Sequence, residues 1–213
     1  MKTMVFVDYW NLQATLQKEN GKHLGLSGQA LRDHRFNVDW FNLGPILTNL
    51  ASIHASPTPG TPLPLTYQET RIYTSNDPNG DGSYKHFALN TLGRRAGIRV
   101  SCQDRRPKRN PDCAHCFAEM DVCPHCTNAI KATQEKGVDT LLVTDMLCLG
   151  LDGTYEVALL VTQDSDMAPA AAHLGSKGIK VIQVGMRHFG AGLAQDCWAS
   201  FDLFPLRSQI QRA

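Results

Sequence analysis

The sequence predicts an α/β fold built on a central, mainly parallel sheet. Three observations carry this. Short apolar runs alternate with segments of helical periodicity. The clearest of those runs, Met4 to Val7 and Val157 to Val161, are apolar at every position, as strands covered on both faces are. Clusters of Pro, Gly, Asn, Asp and Ser separate the segments.

Taken in order, Met4 to Asp8 reads as a central parallel strand with a polar end. Asp39 to His54 spaces Trp40, Phe41, Leu43, Ile46, Leu47 and Leu50 as an amphipathic helix, with Asn37 or Asp39 near its N-cap. Pro45 moves the expected start towards Asn42, because proline is tolerated in the first turn only. Ala55 to Pro64 is too proline-rich for regular structure. Thr70 to Thr74 is a second strand, Ser75 to Ser83 a loop, Tyr84 to Ala96 a helix, and Ile98 to Cys102 a third strand. Val157 to Thr162 is the plainest buried strand. Ala168 to Gly175 is a helix with Pro169 in its first turn. Lys180 to Val184 is a further strand, and Phe201 to Phe204 a last short one. No internal repeat is present.

A chain of 213 residues suits one α/β domain with an insert. Hydrophobic residues make up 42% and charged residues 19%, which supports a packed core and excludes wholesale disorder. The net charge of +1 means that any affinity for nucleic acid rests on a local basic patch. Asp8 interrupts the first apolar run too early for a signal peptide. No run approaches the roughly 18 apolar residues that span a bilayer. A soluble, cytoplasmic protein is expected, with no membrane partner.

Two expected strand ends carry acids: Asp8 after Val5-Phe6-Val7, and Asp164 and Asp166 after Leu160-Val161-Thr162-Gln163. Ligands of open parallel sheets sit at the carboxyl ends of strands, and carboxylates gathered there suit hard cations such as Mg²⁺ or Mn²⁺. A lone Asp after a strand is more often a helix cap or turn former, so each acid alone proves little. Val138 to Val143 reads as a strand by composition.

Three segments together resemble a known family. Phe6-Val7-Asp8-Tyr9-Trp10-Asn11-Leu12 resembles the opening F-I-D-x-x-N-L motif of NYN-domain proteins, a LabA-like branch of the PIN-like nucleases. Glu135-Lys136-Gly137-Val138-Asp139, followed by Asp145-Met146-Leu147, resembles their middle K-G-V-D … D-M-L motif. Leu160-Val161-Thr162-Gln163-Asp164-Ser165-Asp166-Met167-Ala168-Pro169, followed by Gly178-Ile179-Lys180-Val181, resembles their L-V-S-G-D-S-D-F-x-P … G-x-x-V motif. The resemblance implies a PIN-like, Rossmannoid, three-layer fold and metal-dependent cleavage of RNA. It implies an acidic site of Asp8, Asp139, Asp164 and Asp166, with Asn11 as a further member and one or two Mg²⁺ or Mn²⁺ ions at the scissile phosphate. It also turns Val138 to Val143 into a helix with Asp139 in its first turn. Asp139 and Asp145 are six residues apart, about 120° apart around a helix, so both cannot address one metal, and Asp139 is favoured. Gln163 stands where the family usually has Gly, which is expected to narrow the pocket or slow the chemistry. Tyr9-Trp10 stands where smaller residues are common.

Residues 103–127 read as a basic, then cysteine-rich insert. Seven cysteines are present (Cys102, Cys113, Cys116, Cys123, Cys126, Cys148 and Cys197), and four form C-x2-C-x6-C-x2-C: Cys113, Cys116, Cys123 and Cys126. That spacing suits a closed tetrahedral, structural Zn²⁺ site, with an iron–sulfur cluster as the weaker alternative. Arg94, Arg95, Arg99, Arg105, Arg106, Lys108 and Arg109 approach this insert. Such a run is usually a solvated face; beside a phosphodiesterase site it reads as a phosphate-gripping patch. Tyr84, His86 and Trp10 are candidates for stacking on bases, although core packing is the commoner role. Gly190-Ala191-Gly192 lacks the third glycine of a dinucleotide loop and is discounted, and His188 has no partner in sequence that would make it catalytic.

The reading is a metal-dependent endoribonuclease acting on single-stranded or structured RNA, with a homodimer as an open option. The alternatives are a non-catalytic RNA-binding scaffold, or a metal-dependent DNA nuclease or phosphoesterase.

Overall fold

Met4, Val5, Phe6 and Val7 are all buried, which is why this run folds as a strand with helices on both faces. The computed structural model describes residues 1–110, 115–128, 130, 132–186 and 189–212. In chain order its elements are β1 (Lys2–Asp8), α1 (Tyr9–His23), α2 (Gly28–Asp33), α3 (Leu43–His54), β2 (Thr66–Asn76), and α4 (Ser83–His86), which runs on as π-helix over Phe87–Leu92. β3 (Ile98–Asp104), β4 (Arg106–Lys108), β5 (Ala132–Gln134), α5 (Val138–Leu151) and β6 (Val157–Val161) follow. A 3₁₀ turn (Ser165–Met167), α6 (Ala168–Ser176), β7 (Lys180–Gly185), α7 (Ala191–Asp196), β8 (Ala199–Asp202) and a 3₁₀ stretch (Phe204–Ile210) complete the chain.

Six strands form one sheet in the order β3-β2-β1-β6-β7-β8. Every neighbouring pair in it is parallel. Alternation along β1 sends Val5 and Val7 into the core beneath α1 and α3, and Met4 and Phe6 into the core beneath α5 and α6. This is the three-layer arrangement expected. The chain winds outward from β1 through β2 to β3, then returns to β6 on the other side. The order therefore reverses between β1 and β6, and the crevice at their carboxyl ends is a topological switch point.

Several boundaries differ from the sequence reading. α1 was not anticipated: its helix carries Asn11, Asn20 and Gly21 and only a few apolar residues, so its periodicity is faint. α3 starts after Asn42, as Pro45 requires. β2 runs from Thr66 to Asn76, well beyond the five residues expected. The helix expected to reach Ala96 ends at Leu92, and the last strand lies at Ala199–Asp202 because Phe204 begins a 3₁₀ stretch. Val138–Leu151 is a helix. β4 and β5 pair antiparallel, Arg106 with Gln134 and Lys108 with Ala132, so the excursion from the main sheet closes at Gln134, later than the 127 expected. Among the described residues no helix is long and apolar enough to cross a membrane.

Candidate metal-dependent nuclease site

Asp8 ends β1 on the same side as Met4 and Phe6, facing the layer that holds α5. It is 6% exposed. It is also the N-cap of α1: Asn11 N donates to Asp8 Oδ1 at 3.2 Å. Thr162 Oγ1, just past the end of β6, donates to Asp8 Oδ2 at 3.3 Å. Burial pushes the Asp8 carboxyl up to about 7, and the charges of Asp139 and Glu135 add to this, against the Asn11 N–H and the Thr162 hydroxyl.

Asn11 ties the two strand ends together, since its Oδ1 accepts from Gln163 N at 2.8 Å. Asp164 caps the following 3₁₀ turn through Asp166 N, at 2.9 Å from its Oδ1. Asp164 N donates to Thr162 Oγ1. Asp166 is exposed on that turn. Asp139 stands in the first turn of α5, delivered by Gly137, whose φ of +83° is costly for residues with a side chain. The Asp139 carboxyl is raised above its usual range by partial burial, and then by Asp164, Glu135 and Asp166. The structure thus puts Asp139 within electrostatic reach of Asp8 on one side and of Asp164 and Asp166 on the other. Among the described residues, no three His, Cys, Asp or Glu side chains close into a group able to cage a metal ion.

Glu135 completes the acidic cluster. It lies in the quoted K-G-V-D segment, but its side-chain type alone did not single it out. Ser75, near the end of β2, donates its hydroxyl to Glu135 Oε2, and Arg105 Nε donates to Ser75 Oγ at 2.9 Å. Asp145 is placed elsewhere: its Oδ2 accepts from Tyr73 OH at 2.8 Å and Arg71 Nη1 at 3.0 Å. It braces α5 against β2. The Gln163 amide is turned towards the end of β7: its Nε2 donates to Val184 O and its Oε1 accepts from Met186 N.

The basic stretch divides. β3 is seven residues, about 20 Å, long. Arg94 and Arg95 precede it and Arg99 lies near its start, so they sit at the amino edge of the sheet. Arg99 pairs there with Glu69 at 2.7 Å, and Arg95 lies over the Phe41 ring. They are therefore not part of a patch beside the acids. Arg105, Arg106, Lys108 and Arg109 follow β3 at the acidic edge. The Arg105 guanidinium lies 5.4 Å from the centre of the Trp10 ring.

Of the four paired cysteines, Cys113 lies outside the described residues, as does His188. Cys116 and Cys126 are exposed and Cys123 is half-buried, all as free thiols. Phe117 and Thr127, each directly after a C-x-x-C, both have positive φ, +58° and +57°. Thr127 N donates to Cys123 O. The Cys123 thiol accepts from the backbone N–H groups of Cys126 and His125, and is held below its usual range.

A parallel six-stranded sheet with acids gathered at its switch point puts the chain among the three-layer α/β proteins. Residues 2–199 match the NYN domain, and the chain belongs to that PIN-like nuclease family. A comparison with curated proteins found no match. Among solved structures the chain is similar to a crystal structure of a protein of unknown function from Vibrio parahaemolyticus RIMD 2210633. The two share 12% identity with a TM-score of 0.53, covering 99% of this chain and 96% of the other, which is a likeness of fold.

Proposed function

We propose that the protein is a metal-dependent endoribonuclease that hydrolyses RNA phosphodiester bonds at Asp8, Asp139, Asp164 and Asp166. The observation that carries this is a buried carboxylate, Asp8, at the switch point, with the charges of Asp139 and Glu135 bearing on it and those of Asp164 and Asp166 on Asp139. Structural caps have no need of such neighbours, and a cation relieves them. The donors are hard oxygens, which fit Mg²⁺ or Mn²⁺. Mg²⁺ keeps several waters and is commonly held by one or two carboxylates plus substrate phosphate, so these acids do not have to form a closed cage. A bound divalent ion would supply positive charge against the phosphate and the departing oxygen.

The chain's own groups have distinct tasks. Asn11 and Thr162 hold Asp8 in one orientation. Arg105, braced by Ser75, offers its remaining N–H groups to phosphate, with Arg106, Lys108 and Arg109 beyond it. We further propose a structural Zn²⁺ on Cys113, Cys116, Cys123 and Cys126. The positive φ of Thr127 and the N–H donors to Cys123 support a preshaped turn at Cys123–Cys126. Metal analysis of purified protein finding no zinc would remove that part.

The deciding experiment incubates the protein with labelled RNA and DNA in Mg²⁺, Mn²⁺ or EDTA, beside Asp8→Asn and Asp164→Asn. Cleavage of RNA that needs the metal and both aspartates is expected. Equal cleavage by the variants overturns the assignment. Metal-dependent cutting of DNA alone favours the DNA-nuclease alternative.

A further inference from the structure

On the face of the sheet that α1 and α3 cover lies a cleft of about 600 Å³ that the proposed chemistry leaves unused. It is lined by Tyr9, Trp10, Gln13 and Gln17 of α1, the segment entering α3, Phe87 and Arg212. Tyr9, Gln13 and Gln17 recur every four residues, so they form one stripe down α1 from the carboxyl edge of the sheet. Trp10 Nε1 donates to Ser75 O at 2.8 Å, which pins the indole at that edge. Tyr9 stacks on Trp40 at 4.3 Å and meets Trp10 edge-on at 5.0 Å. The wall is therefore a rigid aromatic one.

Gln13 is 8% exposed. Its Nε2 donates to Phe36 O at 2.8 Å, which fixes the amide and leaves Oε1 as an acceptor for a ligand. Gln13 itself lines the cleft. Arg35 and Arg212 stand on the rim, and among the described residues no Asp or Glu lines the cleft. Arg35 Nη1 is held by the carbonyls of Arg32 and His34. An aromatic wall, a fixed amide acceptor and two cations match a nucleobase that carries a phosphate. The volume is ample for one nucleotide.

We propose that this cleft is a nucleotide subsite for single-stranded RNA, opening at the carboxyl edge of the sheet where Trp10 meets Ser75. The base lies against Trp10 and Phe87, a base N–H donates to Gln13 Oε1, and the phosphate meets Arg35 and Arg212. The identity of the polymer rests on the nuclease reading; the subsite itself is tested without cleavage.

AMP, GMP, CMP and UMP are titrated into the full chain without added divalent metal, following tryptophan fluorescence, because Trp10 and Trp40 both line the cleft. Quenching by at least one nucleotide is expected. Gln17→Phe, which fills the cleft, should abolish it. The double variant Arg35→Ala with Arg212→Ala, changed at two exposed positions, should weaken it by about fivefold or more. The slope of log affinity for an RNA decamer against log salt should also fall by about 0.7 per lost arginine. No quenching by any of the four nucleotides, or unchanged binding in both variants, overturns the subsite. Nucleotide binding without RNA cleavage keeps the subsite and sinks the nuclease; cleavage without nucleotide binding does the reverse.

Discussion

Replacing Asp8 with Asn should abolish cleavage and stabilise the metal-free fold at the same time. The sign follows from the direction of the shift. Burial and the charges of Asp139 and Glu135 push the folded-state carboxyl up to about 7, while an unfolded Asp titrates near 4. Below pH 4 the group is neutral in both states and costs nothing. As the pH rises from 4 to 7 the unfolded chain ionises first, and the fold loses stability until Asp8 itself ionises. Each tenfold change is about 1.4 kcal/mol, so above pH 7 the ionised group costs the metal-free fold about 4 kcal/mol. Asn removes that cost and still accepts the bond from Asn11 N, but its amide nitrogen cannot accept from Thr162. A net gain of about 1–3 kcal/mol remains after that lost hydrogen bond. At about 2–4 °C per kcal/mol for a chain of this size, thermal unfolding in EDTA at pH 8 should rise by several degrees, and the gain should vanish near pH 4. Mg²⁺ should raise the melting temperature of the native chain and leave the variant unmoved. A variant that melts lower than the native chain at pH 8 in EDTA, or that still cuts RNA, would refute the reasoning.

Further outcomes follow from the same geometry. Asp145→Asn should cost roughly 1–3 kcal/mol of stability, because Arg71 and Tyr73 lose a charged partner, yet leave kcat near native; a selective loss of kcat would move Asp145 into the site. Arg105→Ala should raise KM for RNA and flatten its salt dependence with kcat little changed, read from cleavage at several ionic strengths. Cys126→Ser should release about one zinc per chain, measured with a chromogenic chelator, and open the 106–134 arm to proteolysis while β1 stays protected from hydrogen exchange. Gly137→Val should lower activity more than stability, because a β-branched residue disfavours the positive φ that sets Asp139 in place.

The layered fold was legible because the strands that build it are apolar at every position, a pattern few other structures impose. Helix α1 was not, because it is held by Leu12 and Leu16 and by tertiary contacts, while Asn11, Asn20 and Gly21 blur its period. The four aspartates were singled out through their motifs, and helical geometry set Asp145 apart from Asp139, where the structure has it bound to Tyr73 and Arg71. What the sequence could not reveal was what each side chain touches. Gln163 looked like an obstruction, and its amide reaches the backbone at the end of β7. Arg94 and Arg95 looked like neighbours of Arg105, but the length of β3 puts them at the opposite edge. Glu135 was overlooked because its place beside Asp8 depends on Ser75, sixty residues away in sequence.

Helix cap and functional acid are compatible roles for Asp8 and Asp164, which cap α1 and the following turn and in the proposed function also face the metal. A carboxylate has about four acceptor positions. Asp8 spends one on the α1 N-cap and one on Thr162, leaving the others available. Asp164 spends one on its turn. The caps fix the direction of each carboxylate, as a preorganised site requires. Capping alone would be served as well by Asn or Ser, with no repulsion between neighbours. The charges of Asp139 and Glu135 around Asp8, and of Asp164 and Asp166 around Asp139, are what capping does not explain, and the Asp8→Asn melting experiment reads the cost that burial, and then those charges, place on the Asp8 carboxylate.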